Sequence, residues 1–288
     1  MKIFMTHLFI LALVYSGHAQ DKQLFSRKIV VQYPANDKGS AEGKPDTISI
    51  AEYRNGKCFK IWSKRTRYGV TREDEQFFDD NNEMKESVKT IYIDKKVEFK
   101  KHFFYDPGAF ISIKEIDLLK EDQTPVVTTI KRDSIGRIVW AHSQSDYTVI
   151  SYSANGSVVI HNKYNDDGNL LLQATIVMDS TKKRVLSSTQ ISTKPAGVEL
   201  ERLEYNNDGI MTGSKAWMSS PLTQAEKDKL KDMPDEEKLI VIKERLRTTD
   251  LTEEIHLNVN KDKLTTGGTK KIYERGVYKN YILKYFYQ

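Results

Sequence analysis

A recurring turn pattern most constrains how this chain can fold. Residues 132–136, 152–156, 164–168 and 205–209 each combine an Asn or Asp with a closing glycine, and an apolar stretch follows. Asn and Asp hydrogen-bond to their own backbone in turns, and glycine adopts the positive φ that closes a hairpin. The flanking Tyr and β-branched residues favour strands. The structural turn glycines predicted in this way, with one from an Asn-Gly pair farther upstream, are Gly56, Gly136, Gly156, Gly168 and Gly209.

The repeated segments resemble a known repeat unit. Residues 164–170, Tyr-Asn-Asp-Asp-Gly-Asn-Leu, look like YD (RHS-type) repeats, and MORN-type hairpin repeats are similar too. Residues 132–138 match except for the Tyr, and residues 205–211 match except for Ile210 at the polar position. The resemblance covers about residues 130–217. It implies a meandering antiparallel sheet in an envelope or secreted protein, and it implies no active site.

The N-terminal third is also predicted to form hairpins. Residues 55–56, Asn-Gly, lie between alternating apolar runs, which is the strongest short hairpin signal. A two-residue turn there would pair Ile50 with Ile61 and place both on the core side. A second hairpin is predicted over residues 90–104. Residues 71–86 between the two hairpins are rich in Asp, Glu and Asn, and we interpret them as a surface loop.

Glycine positions give two further expectations. Gly168 is expected to need a positive φ, so that a β-branched replacement should cost about 1 kcal/mol or more. Gly39, in a polar stretch after Tyr33, is expected to tolerate the same replacement. A Gly-Gly pair at residues 267–268 is predicted to form a turn between two C-terminal strands.

One segment has helical rather than strand signals. Residues 223–226, Thr-Gln-Ala-Glu, form a capping box that predicts a helix to about Met233. Pro234 suits a first helical position, and the acids that follow it favour the positive helix start. A second helix is therefore predicted to about Arg247. The expected fold is mainly β, with antiparallel hairpin-repeat meander sheets and a short helical hairpin inserted near the C-terminus.

The predicted organisation has five parts. They are a signal peptide (1–19), an N-terminal β-hairpin region (20–124), a hairpin-repeat β region (125–219), a helical hairpin (220–250) and C-terminal strands (251–288). We expect residues 20–288 to form one continuous structural unit.

The first twenty residues predict export. Lys2 precedes an apolar run over residues 3–15, and small residues follow up to Ala19, which is the layout of a cleavable signal peptide. Cleavage is predicted after Ala19, and the run is too short for a membrane anchor. Charged residues inside most candidate strands, such as Lys284, argue against a lipid-facing sheet. We therefore expect a periplasmic or secreted chain with no transmembrane span after cleavage.

Charge and composition exclude some partners. The formal net charge is +5 among 45 basic and 40 acidic side chains, and the two signs are interleaved along the chain. Such a distribution lacks the concentrated basic patch of a nucleic-acid-binding protein, so no nucleic-acid partner is predicted. The single cysteine, Cys58, cannot form an internal disulfide, so stability must come from the core.

The sequence motifs indicate no specific chemistry. The four histidines that remain after signal cleavage, His102, His142, His161 and His256, lack the spacing of a zinc site. We find neither a Gly-x-Ser-x-Gly elbow nor a phosphate-binding glycine loop before a helix. No catalytic, metal-binding or cofactor-binding residues are therefore predicted.

The functional hypothesis is binding rather than catalysis. Trp140 and Tyr164 lie in the segment with the clearest hairpin pattern, and we predict them as binding-face residues. The favoured function is a non-enzymatic, exported interaction or scaffold protein that binds a protein or glycan of the cell envelope through a sheet face or edge. The alternative is an exported hydrolase of polysaccharide or peptide, with a site assembled from residues distant in the sequence.

Overall fold

The computed structural model describes residues 25–288 apart from 68, 82, 106–111, 182–183, 195–196, 232, 248, 250 and 275. The predicted signal peptide and its cleavage site lie outside the described residues. Over the described ranges the chain forms 19 strands and two helices, and its strand pairs are antiparallel. The predicted mainly β fold with a helical hairpin near the C-terminus is confirmed.

Strands follow one another along most of the chain. The first nine are β1 (Arg27–Ala35), β2 (Asp46–Arg54), β3 (Lys57–Arg67), β4 (Val70–Phe78), β5 (Met84–Ile93), β6 (Lys96–Tyr105), β7 (Ser112–Asp117), β8 (Val126–Val127) and β9 (Thr129–Arg132). Then come β10 (Ile138–His142), β11 (Asp146–Tyr152), β12 (Val158–Asn165), β13 (Leu170–Met178), β14 (Val185–Lys194), β15 (Gly197–Tyr205) and β16 (Met211–Ser219). The helices α1 (Gln224–Lys231) and α2 (Asp235–Arg247) precede β17 (Leu251–Val259), β18 (Thr265–Glu274) and β19 (Val277–Tyr287).

The chain divides into two compact units. The N-terminal unit comprises residues 25–131, 258–270 and 274–288, and the central unit comprises residues 132–257 and 271–273. In the N-terminal unit β1 to β8 pair in chain order, and β1 also pairs with β19. In the central unit β10 to β17 pair in the same consecutive manner.

The recurring turn is built by one side chain and one glycine. Asn165 Oδ1 accepts a hydrogen bond from the Asn169 N–H at 2.7 Å, and the Gly168 N–H donates to the Asn165 carbonyl at 3.0 Å. Gly168 has a φ of +78°. The same bonds recur from Asn206, whose turn Gly209 closes with a φ of +75°. The other predicted turn glycines, Gly56, Gly136 and Gly156, have φ values of +75°, +85° and +69°.

Gly39 belongs to the same class of turn, so the prediction that it tolerates a β-branched side chain is wrong. Its N–H donates to the Asn36 carbonyl at 2.9 Å, and its φ is +76°. A side chain there would be strained by the backbone conformation, although the space around it is open. An Asn three residues before a glycine is therefore enough to predict this turn, even though Ala35 precedes Asn36 where a Tyr precedes Asn165 and Asn206.

The Asn-Gly hairpin forms, but its predicted register is wrong. The turn pairs Arg54 with Lys57 as a two-residue loop requires, and a bulge between Glu52 and Tyr53 then shifts the pairing. Ile50 consequently opposes Trp62 rather than Ile61. A bulge places an extra residue in one strand, so Ile50 and Ile61 lie on opposite faces of the sheet.

The predicted surface loop over residues 71–86 is also wrong, because it contains β4 and the start of β5. Asp74 and Gln76 of β4 are 6% and 4% exposed. The buried side of this part of the sheet is polar, so the strand lacks the apolar alternation by which a half-buried strand is recognised. A short turn around Asp79 and Asp80 separates the two strands.

The Gly-Gly pair at residues 267–268 lies inside β18, which corrects its prediction as a turn. The turn forms earlier, where Asn260 Oδ1 accepts from the N–H groups of Asp262 and Leu264 at 3.0 and 2.9 Å. Lys263 supplies the positive φ of +63° that glycine supplies elsewhere. Gly267 instead permits close strand packing, because a Cβ there would lie 3.2 Å from the Leu283 carbonyl oxygen.

The helical hairpin begins with the predicted capping box. The Thr223 N–H donates to Glu226 Oε2 at 2.7 Å, and the Glu226 N–H donates to Thr223 Oγ1 at 3.3 Å. The packing stripe of α2 is Leu239, Ile242 and Leu246, which are buried in a cluster with residues of β12, β14 and β15. The hairpin therefore covers one face of the central sheet.

Candidate functional site

Tyr164, one of the two predicted binding-face residues, lies beneath the helical hairpin. It is 8% exposed, stacks on Tyr147 with ring centroids 5.0 Å apart, and donates a hydrogen bond from its hydroxyl to the Asp235 carboxylate at the start of α2. Burial and the Asp235 carboxylate both raise the pKa of this phenol. In this arrangement Tyr164 packs in the core of the central unit, with little of its side chain exposed.

Trp140, the other predicted residue, is half-buried. Its ring stacks on His142 with centroids 5.7 Å apart and planes 11° apart. His142 Nε2 lies 3.4 Å from Asp166 Oδ1, and both of these side chains are largely exposed. Strand register places both predicted residues on the same face of the central sheet, because His142 opposes Tyr147 and Tyr147 opposes Tyr164. Their role in binding stays a prediction.

A different set of aromatic side chains lies half-exposed in the N-terminal unit. Trp62, Phe77 and Phe104 project from β3, β4 and β6 on the side of the sheet opposite to Asp74. Register places them together, because Phe77 opposes Glu86 and Glu86 opposes Phe104 across adjacent strands. We define the aromatic face as Lys60, Trp62, Phe77, Glu86, His102, Phe104 and Lys114.

Charged groups interleave with the rings of the aromatic face. The Lys60 ammonium lies 5.4 Å from the Phe77 centroid and 2.9 Å from Glu75 Oε1. His102 stacks on Phe104 at 4.2 Å, and the Lys114 ammonium lies 4.9 Å from the same ring. The face thus offers apolar ring surface beside hydrogen-bond donors and acceptors, which is a combination suited to recognition.

A groove opens where two neighbouring turns meet, and Phe77 connects it to the aromatic face. It encloses about 470 Å³ between the β2–β3 turn and the β4–β5 turn. Its apolar lining is Cys58, Phe59, Phe77 and Phe78. Its polar lining is Arg54, Asn55, Lys57, Asp79, Asp80 and Lys85. We name this cavity the turn groove.

The cations of the turn groove have no carboxylate partner within the described residues. The Arg54 guanidinium lies 4.8 Å above the Phe59 ring, and Lys57 Nζ donates to the Asp80 carbonyl at 2.6 Å. Neither they nor Lys85 form an ion pair in the part of the chain that the structure describes. Asp79 is committed to its own turn, because its Oδ1 accepts from two backbone N–H groups at 2.8 and 2.9 Å.

Cys58 does not supply a ready nucleophile to this groove. Burial raises the pKa of its thiol to about 12, and the thiol donates to the Lys60 carbonyl at 3.6 Å. The reactive species of a cysteine is the thiolate. At neutral pH the Cys58 side chain is therefore a protonated, packing thiol.

The opposite, buried face of the N-terminal unit carries polar side chains among apolar ones such as Ile61 and Ile91. Asp74 and Lys89 are 6% and 2% exposed and lie directly opposite each other on β4 and β5. Burial raises the pKa of Asp74 and lowers that of Lys89, while the attraction between the two charges opposes both shifts. Nearby, Ser87 Oγ and Tyr105 Oη are 3.0 Å apart. Because the sequence predicts residues 71–86 as a loop, it does not indicate that Asp74 and Lys89 lie opposite each other on paired strands.

A row of mainly polar side chains also crosses the central unit, from the half-buried His161 to the buried Glu253. Cross-strand pairing aligns His161, Ala174, Gln190, Glu201, Ala216 and Glu253 on one face of β12 to β17. Gln190, Glu201 and Glu253 are each 2% exposed or less, and burial lowers the pKa of His161 to about 4. These residues are far apart in the sequence, so only the strand register brings them together.

Among the described residues we find no group of three or more His, Cys, Asp or Glu side chains placed to hold a metal ion. No helix within the described ranges is both long and apolar enough to cross a membrane.

Comparison with known proteins gives only distant likenesses. No protein-family model matches the sequence, and no curated protein matches it. A porin-like protein from Bacteroides uniformis aligns over 92% of this chain and 96% of its own, with 9% identity and a TM-score of 0.34. A porin-like protein from Bacteroides vulgatus aligns over 92% and 98%, with 11% identity and a TM-score of 0.30. Similarity at this level supports no conclusion about function.

Proposed function

We propose that this chain is an exported, non-enzymatic interaction or scaffold protein that binds a protein or glycan of the cell envelope through a sheet face. The supporting observation is the aromatic face, where the half-buried Trp62 and Phe77 lie on the neighbouring strands β3 and β4 and the half-buried Phe104 lies beyond Glu86 on β6, among charged side chains. Aromatic side chains supply large contact areas with little loss of conformational freedom, and they dominate the energetics of many interfaces. The layout of residues 1–19 supports the exported location.

The repeat relationship belongs to the same proposal. The turns that begin at Asp133, Asn165 and Asn206 share one hydrogen-bond pattern, in which the first residue accepts from the N–H four positions later. The same bond is formed at Asn36, Asp79 and Asn260, outside this segment. The proposed resemblance of about residues 130–217 to YD (RHS-type) or MORN-like hairpin repeats is therefore supported by their Tyr-containing sequences rather than by the turn geometry alone. In such a chain the turns determine how the strands pair, and the side chains on the sheet faces bind the ligand.

The aromatic face gives a direct prediction. The double variant Trp62→Ala, Phe104→Ala should bind its ligand at least tenfold more weakly, because each truncation removes about 1 kcal/mol or more of contact. Binding is measured on a panel of envelope polysaccharides and purified envelope proteins from the native host. The variant Trp140→Ala tests the competing location in the central unit, because Trp140 is also predicted from the sequence as a binding-face residue, and on this proposal it should retain affinity.

Two checks make this test decisive. Thermal unfolding of the double variant must remain cooperative, and a second variant, Lys60→Ala with Lys114→Ala, removes the charges of the face without truncating a ring. Retention of full affinity by both folded variants would overturn the proposal. Loss of affinity in Trp140→Ala alone would instead move the binding face to the central unit.

A further inference from the structure

We propose that the turn groove binds the carboxylate-bearing sugar residue of an acidic glycan. This inference rests on the proposed function and names the chemistry of its ligand. The groove of about 470 Å³ is within the size range of sites that enclose small molecules, which is roughly 300–1,000 Å³. Phe77 lines the groove and also belongs to the aromatic face, so a glycan chain can lie across both.

Two turns of defined geometry place the side chains that line the groove. The β2–β3 turn is a tight hairpin loop in which Asn55 and Gly56 have φ values of +52° and +75°. In the β4–β5 turn the Asp79 side chain accepts from two N–H groups, and the Asp79 N–H donates to the Glu83 carbonyl at 2.9 Å. The groove lies between these two turns.

The cations that line the groove favour an anionic ligand. Arg54, Lys57 and Lys85 line one cavity, and within the described residues none of them forms an ion pair. Arg54 is oriented by its position over Phe59, and Lys57 is oriented by its bond to the Asp80 carbonyl. A guanidinium matches a carboxylate through two parallel hydrogen bonds. An ammonium group has three N–H donors, so Lys57 can contact an anion as well as the Asp80 carbonyl, and Lys85 adds a second positive charge.

The remaining lining favours a sugar over an acidic peptide. Asn55 and the exposed Asp80 place hydrogen-bond acceptors beside the cations, and Asp79 adds a second negative charge. An acidic peptide would bring carboxylates to the cations but few hydroxyl groups to these acceptors. A uronic acid has a single carboxylate for the cations, hydroxyl groups for the acceptors, and an apolar ring face that can lie against Phe77.

The test uses the mature chain and two probes that differ in one functional group. Calorimetric titration compares a uronic-acid oligosaccharide with the same oligosaccharide after reduction of its carboxyl groups to alcohols. We expect the acidic probe to bind at least tenfold more tightly and to lose affinity as salt is added. The variant Arg54→Gln, Lys85→Gln should lower affinity for the acidic probe at least tenfold. Both side chains are exposed, so the fold should be kept.

The control and the contrary outcomes are defined in advance. Lys100→Gln changes an exposed lysine of β6 that is outside the groove lining, and it should leave affinity unchanged. Equal affinity for the reduced probe, or an unaffected groove variant, would overturn the inference. Equally tight binding of a poly-glutamate peptide would overturn the assignment to a sugar. If no acidic glycan binds but the aromatic-face variants still lose a panel ligand, the groove inference fails and the proposed function stands.

Discussion

Replacing Lys89 with Met should lower the free energy of unfolding by about 3–5 kcal/mol, because the Asp74 carboxylate would remain buried without its opposing charge. The two side chains are 2% and 6% exposed and face each other across β4 and β5. Urea unfolding at pH 7 measures the loss. In the variant, protonation of Asp74 neutralises the buried carboxylate. The difference in unfolding free energy between wild type and variant should therefore decrease as the pH is lowered toward 5.

Two further variants separate charge from packing. Replacing both partners, as Lys89→Met with Asp74→Asn, should recover most of the lost stability, since the uncompensated carboxylate is gone. Replacing the exposed Lys100 with Met should change stability by no more than about 0.5 kcal/mol. A loss below about 1 kcal/mol in the Lys89→Met variant would show that Asp74 is hydrated and that this polar face is open to water.

The second large effect concerns acid stability of the central unit. His161 lies opposite the buried Ile150 and Ala174 on the neighbouring strands, and burial lowers its pKa to about 4. In the unfolded chain its pKa returns to about 6.5. The folded state therefore binds the proton less readily, so the contribution of His161 to stability is fully present above about pH 6.5 and is lost as the pH falls toward 4. The shift corresponds to roughly 3 kcal/mol between these limits.

The variant His161→Gln should remove that pH dependence while keeping a polar side chain at the position. The measurement is the difference in unfolding free energy between pH 7 and pH 4.5, taken for wild type and variant under the same conditions. The control is His256→Gln, since the His256 side chain is 59% exposed. Identical pH dependence in wild type and His161→Gln would mean that the ring reaches solvent in the folded state.

The parts of the fold that could be predicted from the sequence are those specified by local interactions. The turn at Asn165 and the cap at Thr223 each involve residues within four positions of one another, so their signals are contiguous in the sequence. The Gly-Gly pair at residues 267–268 predicts a turn too late in the sequence, because the turn forms at Asn260 and Lys263 adopts its positive φ in place of a glycine. Local signals of this kind predict hairpin turns that contain a glycine. They miss a turn such as that at Asn260, in which a residue other than glycine adopts the positive φ.

The candidate site could not be predicted because it depends on strand register and on a polar buried face. A single bulge before Tyr53 moved Ile50 to the opposite side from Ile61, which no local pattern reveals. Asp74 and Gln76 alternate with half-exposed residues along β4, but they are polar and were interpreted as a loop. Once that strand is missed, Phe77 cannot be placed beside Phe104, and neither the aromatic face nor the turn groove can be anticipated.

The central claim is that this chain binds its ligand and leaves it chemically unchanged. The most direct measurement is to incubate the purified wild-type chain with each ligand that it retains from the panel, and then to recover that ligand and determine its mass. We predict saturable binding that is lost in the aromatic-face variant, with the ligand recovered intact after many hours. Accumulation of cleaved polysaccharide or peptide, abolished by the replacement of a single carboxylate, would contradict the claim and establish a hydrolase instead.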